Sequence, residues 1–119
     1  MEAALEALLA FPSTMFATYG TLAPDGRNHH LLADVDGSWS KGTVRGFIEE
    51  RLGLPTFVWE WGADEVEVDL LESRELPSRW TEFDAFEGTQ YCRIWVPVER
   101  RGKPLAVATL YEGVREDRW

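Results

Sequence analysis

From Glu65 to Leu70 the chain alternates without a break, setting Glu65, Glu67 and Asp69 against Val66, Val68 and Leu70. Successive side chains of an extended strand point to opposite faces, so this segment is a strand with one wet and one buried face, and its acids read as solvent-facing decoration rather than a metal site. The alternation recurs where Cys92, Ile94, Val96 and Val98 interleave with Tyr91, Arg93, Trp95 and Pro97. The proline places this second strand at an edge or beside a bulge. Leu105 to Tyr111 is almost wholly apolar, as a central strand is, and the turn at Glu99–Lys103 joins the two as a hairpin. Upstream, Met15–Tyr19 reads as a buried first strand stopped by Gly20. Trp39 to Ile48 reads as a strand in which Gly42 and Gly46 mark a bulge or a close backbone approach. Thr56 to Trp61 follows, with Phe57, Trp59 and Trp61 on one face.

Helical signals are few and short. Asn28 is placed to cap a turn through His29, His30, Leu31 and Leu32. Between Leu76 and Phe86 the period changes: Pro77 suits a first turn, Trp80, Phe83 and Phe86 recur three apart, and Gly88 is a stop. Leu5, Leu8 and Leu9 give residues 1–12 the pattern of a short amphipathic helix ended by Pro12, suited to docking on the body or on a second subunit of a homodimer. Strands that outnumber helices, with no βαβ alternation, predict an α+β fold with a small, mixed, curved sheet flanked by short helices; a doubly wound nucleotide-binding fold is disfavoured. The 119 residues suffice for one domain, spanning 13–119 after the N-terminal helix.

Charge and cysteine usage narrow the function classes. Twelve Lys and Arg against 21 Asp and Glu leave a net charge of −9, a field that repels phosphate backbones and anionic lipid heads, so neither nucleic acid nor a membrane is an expected partner. The single cysteine, Cys92, forms no internal disulfide and supplies no thiolate pair, and Glu2 and Glu6 interrupt the apolar N-terminus where a signal peptide would be uninterrupted. A cytoplasmic location is the expectation.

The chain contains no phosphate-binding GxxxxGK[ST] loop, no GxGxxG, HExxH, GxSxG or CxxC. Adjacent His29 and His30 point in different directions in either helix or strand and make a poor metal pair, so no metal or other cofactor is expected. The informative residue is Glu87. At about 100° per residue it falls between Trp80 and Phe83 on the apolar stripe, in the last turn of the helix, while Glu82 points the opposite way. Burial and the negative end of the helix dipole both favour the protonated carboxyl, which raises its pKa toward the range of general acid–base work. Asp84 flanks the same stripe as a partner or a rim charge. A second feature is Tyr19-Gly20-Thr21-Leu22, directly after the first strand, where glycine lets backbone N–H groups converge on a carboxylate or a developing oxyanion.

Taken together, Tyr19-Gly20-Thr21-Leu22, Asn28-His29-His30-Leu31-Leu32, and Phe83-Asp84-Ala85-Phe86-Glu87-Gly88 followed by Tyr91 and Arg93 resemble the gamma-glutamyl cyclotransferase-like family over about Met15 to Tyr111. The resemblance implies a small mixed β-barrel with flanking helices. It also implies a cofactor-independent enzyme that cyclises a γ-glutamyl group of a γ-glutamyl amine or γ-glutamyl amino acid to 5-oxoproline and releases the amine. By motif position Glu87 is then the acid–base residue, the backbone of Gly20, Thr21 and Leu22 holds the γ-glutamyl group, and Tyr19 and Tyr91 shape the pocket. Arg93 braces its strand or pairs with an acid, and Phe83 and Phe86 belong to the core. The segment Asp64–Val68 and Phe83 depart from the common family pattern at the pocket's outer wall, where the leaving group is chosen. Two other classes stay open: a non-catalytic binder of a small carboxylate or amino-acid metabolite, and a partner-binding protein presenting some of its six tryptophans.

Overall fold

The computed structural model describes residues 13–20, 22–26 and 28–114; the segment 1–12 and Thr21 lie outside them. Six strands appear in chain order: β1 Met15–Thr18, β2 Ser38–Arg51, β3 Leu54–Trp59, β4 Glu65–Glu72, β5 Tyr91–Arg100 and β6 Lys103–Gly113. A helix, α1 (Trp80–Glu87), and two 3₁₀ turns, His29–Leu31 and Leu76–Ser78, complete the elements among the described residues. The sheet closes on itself: β2, β4, β1, β6 and β5 run side by side, and β5 returns to β2 at Thr43 and Glu99. β1 and β6 are parallel, meeting at Phe16 and Thr109, while the other pairs are antiparallel. This is the α+β fold with a mixed, curved sheet that the order of elements predicts, closed into the barrel that the family resemblance implies.

Besides its closing contact with β5, β2 divides its length between two partners. Its first half, Ser38 to Arg45, pairs with β4, and its second half, Gly46 to Arg51, pairs with β3, which is the extra strand outside the barrel ring. The switch occurs at Gly46, where a Cβ would run into the Val58 carbonyl and lie 2.6 Å from the Phe57 ring. Gly42 is equally tight, since a Cβ there would come within 2.5 Å of Val98. Of the two readings open for these glycines, close approach is the one found, and the irregularity in register falls instead on β5, between Val98 and Glu99.

Two cores follow from the alternation. Inside the barrel, Val44, Phe57, Val68, Leu70, Val96, Val98, Ala108 and Leu110 are buried together. Outside it, Phe16, Leu71 and Tyr111 meet Leu76, Trp80 and Phe83 beneath α1. The rings there pack edge-on, Phe16 to Trp80 at 5.0 Å and Phe16 to Tyr111 at 5.7 Å, the arrangement that ring quadrupoles favour. Phe83 has no exposed surface, and burying such a side chain is worth roughly 1.5–3 kcal/mol.

Several local details differ from the sequence expectation. β3 starts at Leu54 rather than Thr56 and ends at Trp59, so Trp61 sits in the following turn, 84% exposed, and not on the strand face. Helix α1 begins only at Trp80, because Leu76–Ser78, containing Pro77, forms a separate 3₁₀ turn. Phe86, expected in the core, is 43% exposed: it lies about 60° beyond Phe83 around the helix, off the stripe that Trp80 and Phe83 define. At the other 3₁₀ turn, Asn28 occupies the cap position but its side chain makes no capping bond. Among the described residues no helix is long and apolar enough to cross a membrane.

Candidate active site

A cavity of about 270 Å³ opens where the C-terminal end of α1 meets the end of β1. β1 and the turn after it supply Phe16 to Gly20 and Leu22. β3 supplies Leu54 and Pro55, α1 supplies Phe86 and Glu87, the start of β5 supplies Gln90 and Tyr91, and β6 supplies Tyr111. Asn28 completes the wall. Of the residues singled out in the sequence, Tyr19, Gly20, Leu22, Glu87 and Tyr91 therefore converge on one cavity; Thr21 is outside the described residues.

Glu87 is the last residue of α1 and, among the described lining residues, the sole carboxylate. Helical spacing from Trp80 and Phe83 turns it inward, and Gly88, at φ +79°, ends the helix before the chain can carry it away. Gly88 also donates its N–H to the Asp84 carbonyl at 3.0 Å, closing the last turn. Withdrawal from water disfavours the charged form, and burial pushes the Glu87 carboxyl up to about 7. A group poised there can take a proton and return it near neutral pH.

The loop after β1 is a tight turn, closed by the Ala23 N–H donating to the Gly20 carbonyl at 3.1 Å. His29 steadies it through a 3.1 Å hydrogen bond between Nδ1 and the Leu22 carbonyl. Gly20 leaves open the space where a Cβ would lie 3.6 Å from Pro55, so the backbone rather than a side chain faces the cavity.

Three tyrosines form the rest of the wall. The Tyr19 hydroxyl donates to the Tyr111 carbonyl at 2.6 Å, and the Tyr91 hydroxyl lies 3.1 Å from Thr56 Oγ1. The Tyr111 hydroxyl in turn donates to Asp84 Oδ1 at 2.7 Å, while Arg93 reaches Asp84 Oδ2 at 3.2 Å and stacks over Trp80. Burial raises both Tyr19 and Tyr111 well above the ordinary phenol range, so both remain hydrogen-bond donors at neutral pH. Arg93 is thus paired with an acid and is absent from the cavity lining.

The comparison with known families is decided by its extent. The family model described as gamma-glutamyl cyclotransferase, AIG2-like, matches residues 16–118. The chain belongs to the gamma-glutamyl cyclotransferase, AIG2-like family. Solved structures agree on the fold. An uncharacterized protein from Pyrococcus horikoshii is 24% identical with a TM-score of 0.64, over 89% of this chain and 82% of that one. An AIG2-like protein from Mus musculus is 17% identical with a TM-score of 0.66, over 89% and 81%. YkqA from Bacillus subtilis is 26% identical with a TM-score of 0.66, over 84% of this chain but 35% of YkqA. No curated protein matches.

Tyr111, Pro55, Gln90 and Phe86 are cavity residues of this AIG2-like chain that sequence reasoning did not assign to a site. Tyr111 ends a run of apolar residues and reads as core, and its hydroxyl was the available signal: a buried phenol needs a partner, which Asp84 supplies. Pro55 and Gln90 carry no such signal, because turn and strand-entry residues reach a cavity only through tertiary placement.

Proposed function

We propose that this protein is a gamma-glutamyl cyclotransferase that converts a γ-glutamyl amine or γ-glutamyl amino acid to 5-oxoproline and a free amine, with Glu87 as the acid–base residue. The observation that carries the reading is Glu87 itself, a carboxyl held near neutral pKa by burial in a cavity walled by tyrosines and by the backbone after β1. The substrate's α-ammonium gives a proton to the ionised Glu87, and the freed amine attacks the γ-carbonyl carbon. The new C–N bond closes a five-membered ring whose oxyanion is met by backbone N–H groups of the Gly20–Leu22 turn. Collapse of that centre breaks the original γ-amide bond as Glu87 returns its proton to the departing amine, and the second proton of the ring nitrogen passes by way of Glu87 to the same amine, which leaves as an ammonium. Holding amine and carbonyl in one small cavity favours the ring closure, since orientation supplies much of what an intramolecular reaction needs.

The test is release of 5-oxoproline from a mixed panel of γ-glutamyl amino acids and γ-glutamyl amines, run side by side on the wild type and Glu87→Gln. Release by the wild type that is lost in the variant is the expected result. No release from any substrate by folded wild-type protein at high concentration overturns the proposal and favours a binding role for the same cavity.

A further inference from the structure

Among the described residues, β3 is held by a backbone ladder on one side alone, along β2. In an antiparallel pair the N–H groups of successive residues point alternately toward the partner strand and away from it. Glu60, just past β3, donates to the Arg45 carbonyl of β2 at 3.3 Å, so the amides of Trp59 and Phe57 are directed the other way. Both meet side chains rather than a strand. The Trp59 N–H donates to Glu112 Oε2 at 2.8 Å, and the Phe57 backbone is hydrogen-bonded to the Tyr19 phenol.

Glu112 is a carboxylate on β6 with 1% of its surface exposed, two residues beyond Leu110 and so on the same inward face. A buried carboxylate is costly unless hydrogen-bonded, and the amide of Trp59 is one of its partners. The neighbouring Gly113 brings the β6 backbone so close to β3 that a Cβ there would collide with Thr56. Thr56 in turn touches Tyr91, and Pro55, one residue earlier, stands in the cavity wall beside Gly20.

We infer that Glu112 is a positioning residue for the cavity: its carboxylate fastens the outward edge of β3 to β6 and thereby fixes where Pro55 stands in the cavity wall beside Gly20. The inference rests on the cyclotransferase reading of that cavity. Glu112 touches neither substrate nor Glu87 in this role, so it governs how well substrate is held rather than the proton transfers.

The experiment compares Glu112→Gln, whose amide oxygen still accepts from Trp59, with Glu112→Met, of similar length but without an acceptor. Amide hydrogen exchange at Trp59 and Phe57 and the kinetics of 5-oxoproline release are both followed. Expected for Glu112→Met are exchange at Trp59 faster by about tenfold or more and a KM raised by about tenfold with kcat within about twofold, both restored in Glu112→Gln. Glu112→Asp, which draws the carboxylate back by one methylene, gives the same readout if Glu112→Met does not fold. Unchanged exchange at Trp59 in the methionine variant overturns the inference, as does a glutamine variant impaired as badly as the methionine one. If the wild type releases no 5-oxoproline, the cyclotransferase reading fails on that result, while exchange at Trp59 still decides whether Glu112 fastens β3.

Discussion

The Tyr111 hydroxyl donates a 2.7 Å hydrogen bond to Asp84, one helical turn before Glu87, and Arg93 holds the other oxygen of the same carboxylate. Tyr111 is thereby fixed as a cavity wall with its proton directed at α1 rather than at a ligand. Removing the hydroxyl in Tyr111→Phe leaves Asp84 with Arg93 but deletes a hydrogen bond to a charged acceptor, worth about 1.5–3 kcal/mol. Urea denaturation is expected to show a loss of that size, with activity falling less than in a Glu87 variant. A Tyr111→Phe protein as stable as the wild type would mean that the phenol contributes only its ring.

The proposed reaction begins with an ionised Glu87, and burial places that carboxyl at about 7. At each unit below pH 7 the ionised fraction falls about tenfold, so kcat/KM is expected to rise with slope near one up to pH 7 and then level off. A group at the ordinary carboxylate value would instead put the break between pH 4 and 5. The pH–rate profile of the acid limb distinguishes the two.

The same burial has a stability consequence of opposite direction. A carboxyl whose pKa is higher folded than unfolded binds its proton more tightly in the folded state, so its contribution is fully present below about pH 4.5 and is lost as pH rises through 7. Glu87→Gln, which resembles the protonated form at every pH, is therefore expected to be more stable than the wild type above pH 7, by up to about 3 kcal/mol, and nearly equal to it at pH 4. Thermal melts at pH 4 and pH 8 check this directly. Turnover in the same variant is expected to drop by about a hundredfold or more.

How far the sequence alone leads depends on the range over which each residue's placement is decided. Glu65–Leu70 and Cys92–Val98 declare their faces by local alternation, and the structure has them as expected, with Val68, Leu70, Val96 and Val98 buried. Glu87 was legible because a carboxylate on an apolar helical stripe is a local contradiction, and the Tyr19–Leu22 turn because glycine there has a backbone reason. The pairing of Arg93 with Asp84 was open and needed the fold to bring β5 under α1. Glu112 was illegible: within Leu110-Tyr111-Glu112-Gly113 nothing marks a buried acid, since its partner, the Trp59 amide, is 53 residues away. Phe86 misled because spacing by three drifts about 60° around a helix at each step, enough to carry it from the core to the cavity rim.

Gly46 offers a test of the fold independent of any activity. It is the residue at which β2 changes partners, from β4 to β3, and it has no room for a side chain: a Cβ would meet the Val58 carbonyl and the Phe57 ring. Phe57 is fully buried inside the barrel, so it cannot yield by swinging into solvent. Gly46→Ala must therefore push β3 away from β2 or force Phe57 off its rotamer, an overpacking cost of about 1–3 kcal/mol. Gly53→Ala is the fitting contrast, because nothing lies near its Cβ position and its cost comes only from a φ of +79° in the β2–β3 turn. Denaturation midpoints alone do not separate the two causes, but chemical shifts of the buried Phe57 ring do: a large change in Gly46→Ala and none in Gly53→Ala is expected. Equal perturbation by both substitutions would mean that the β2–β3 hairpin moves as a unit and that Gly46 is not the close contact the packing describes.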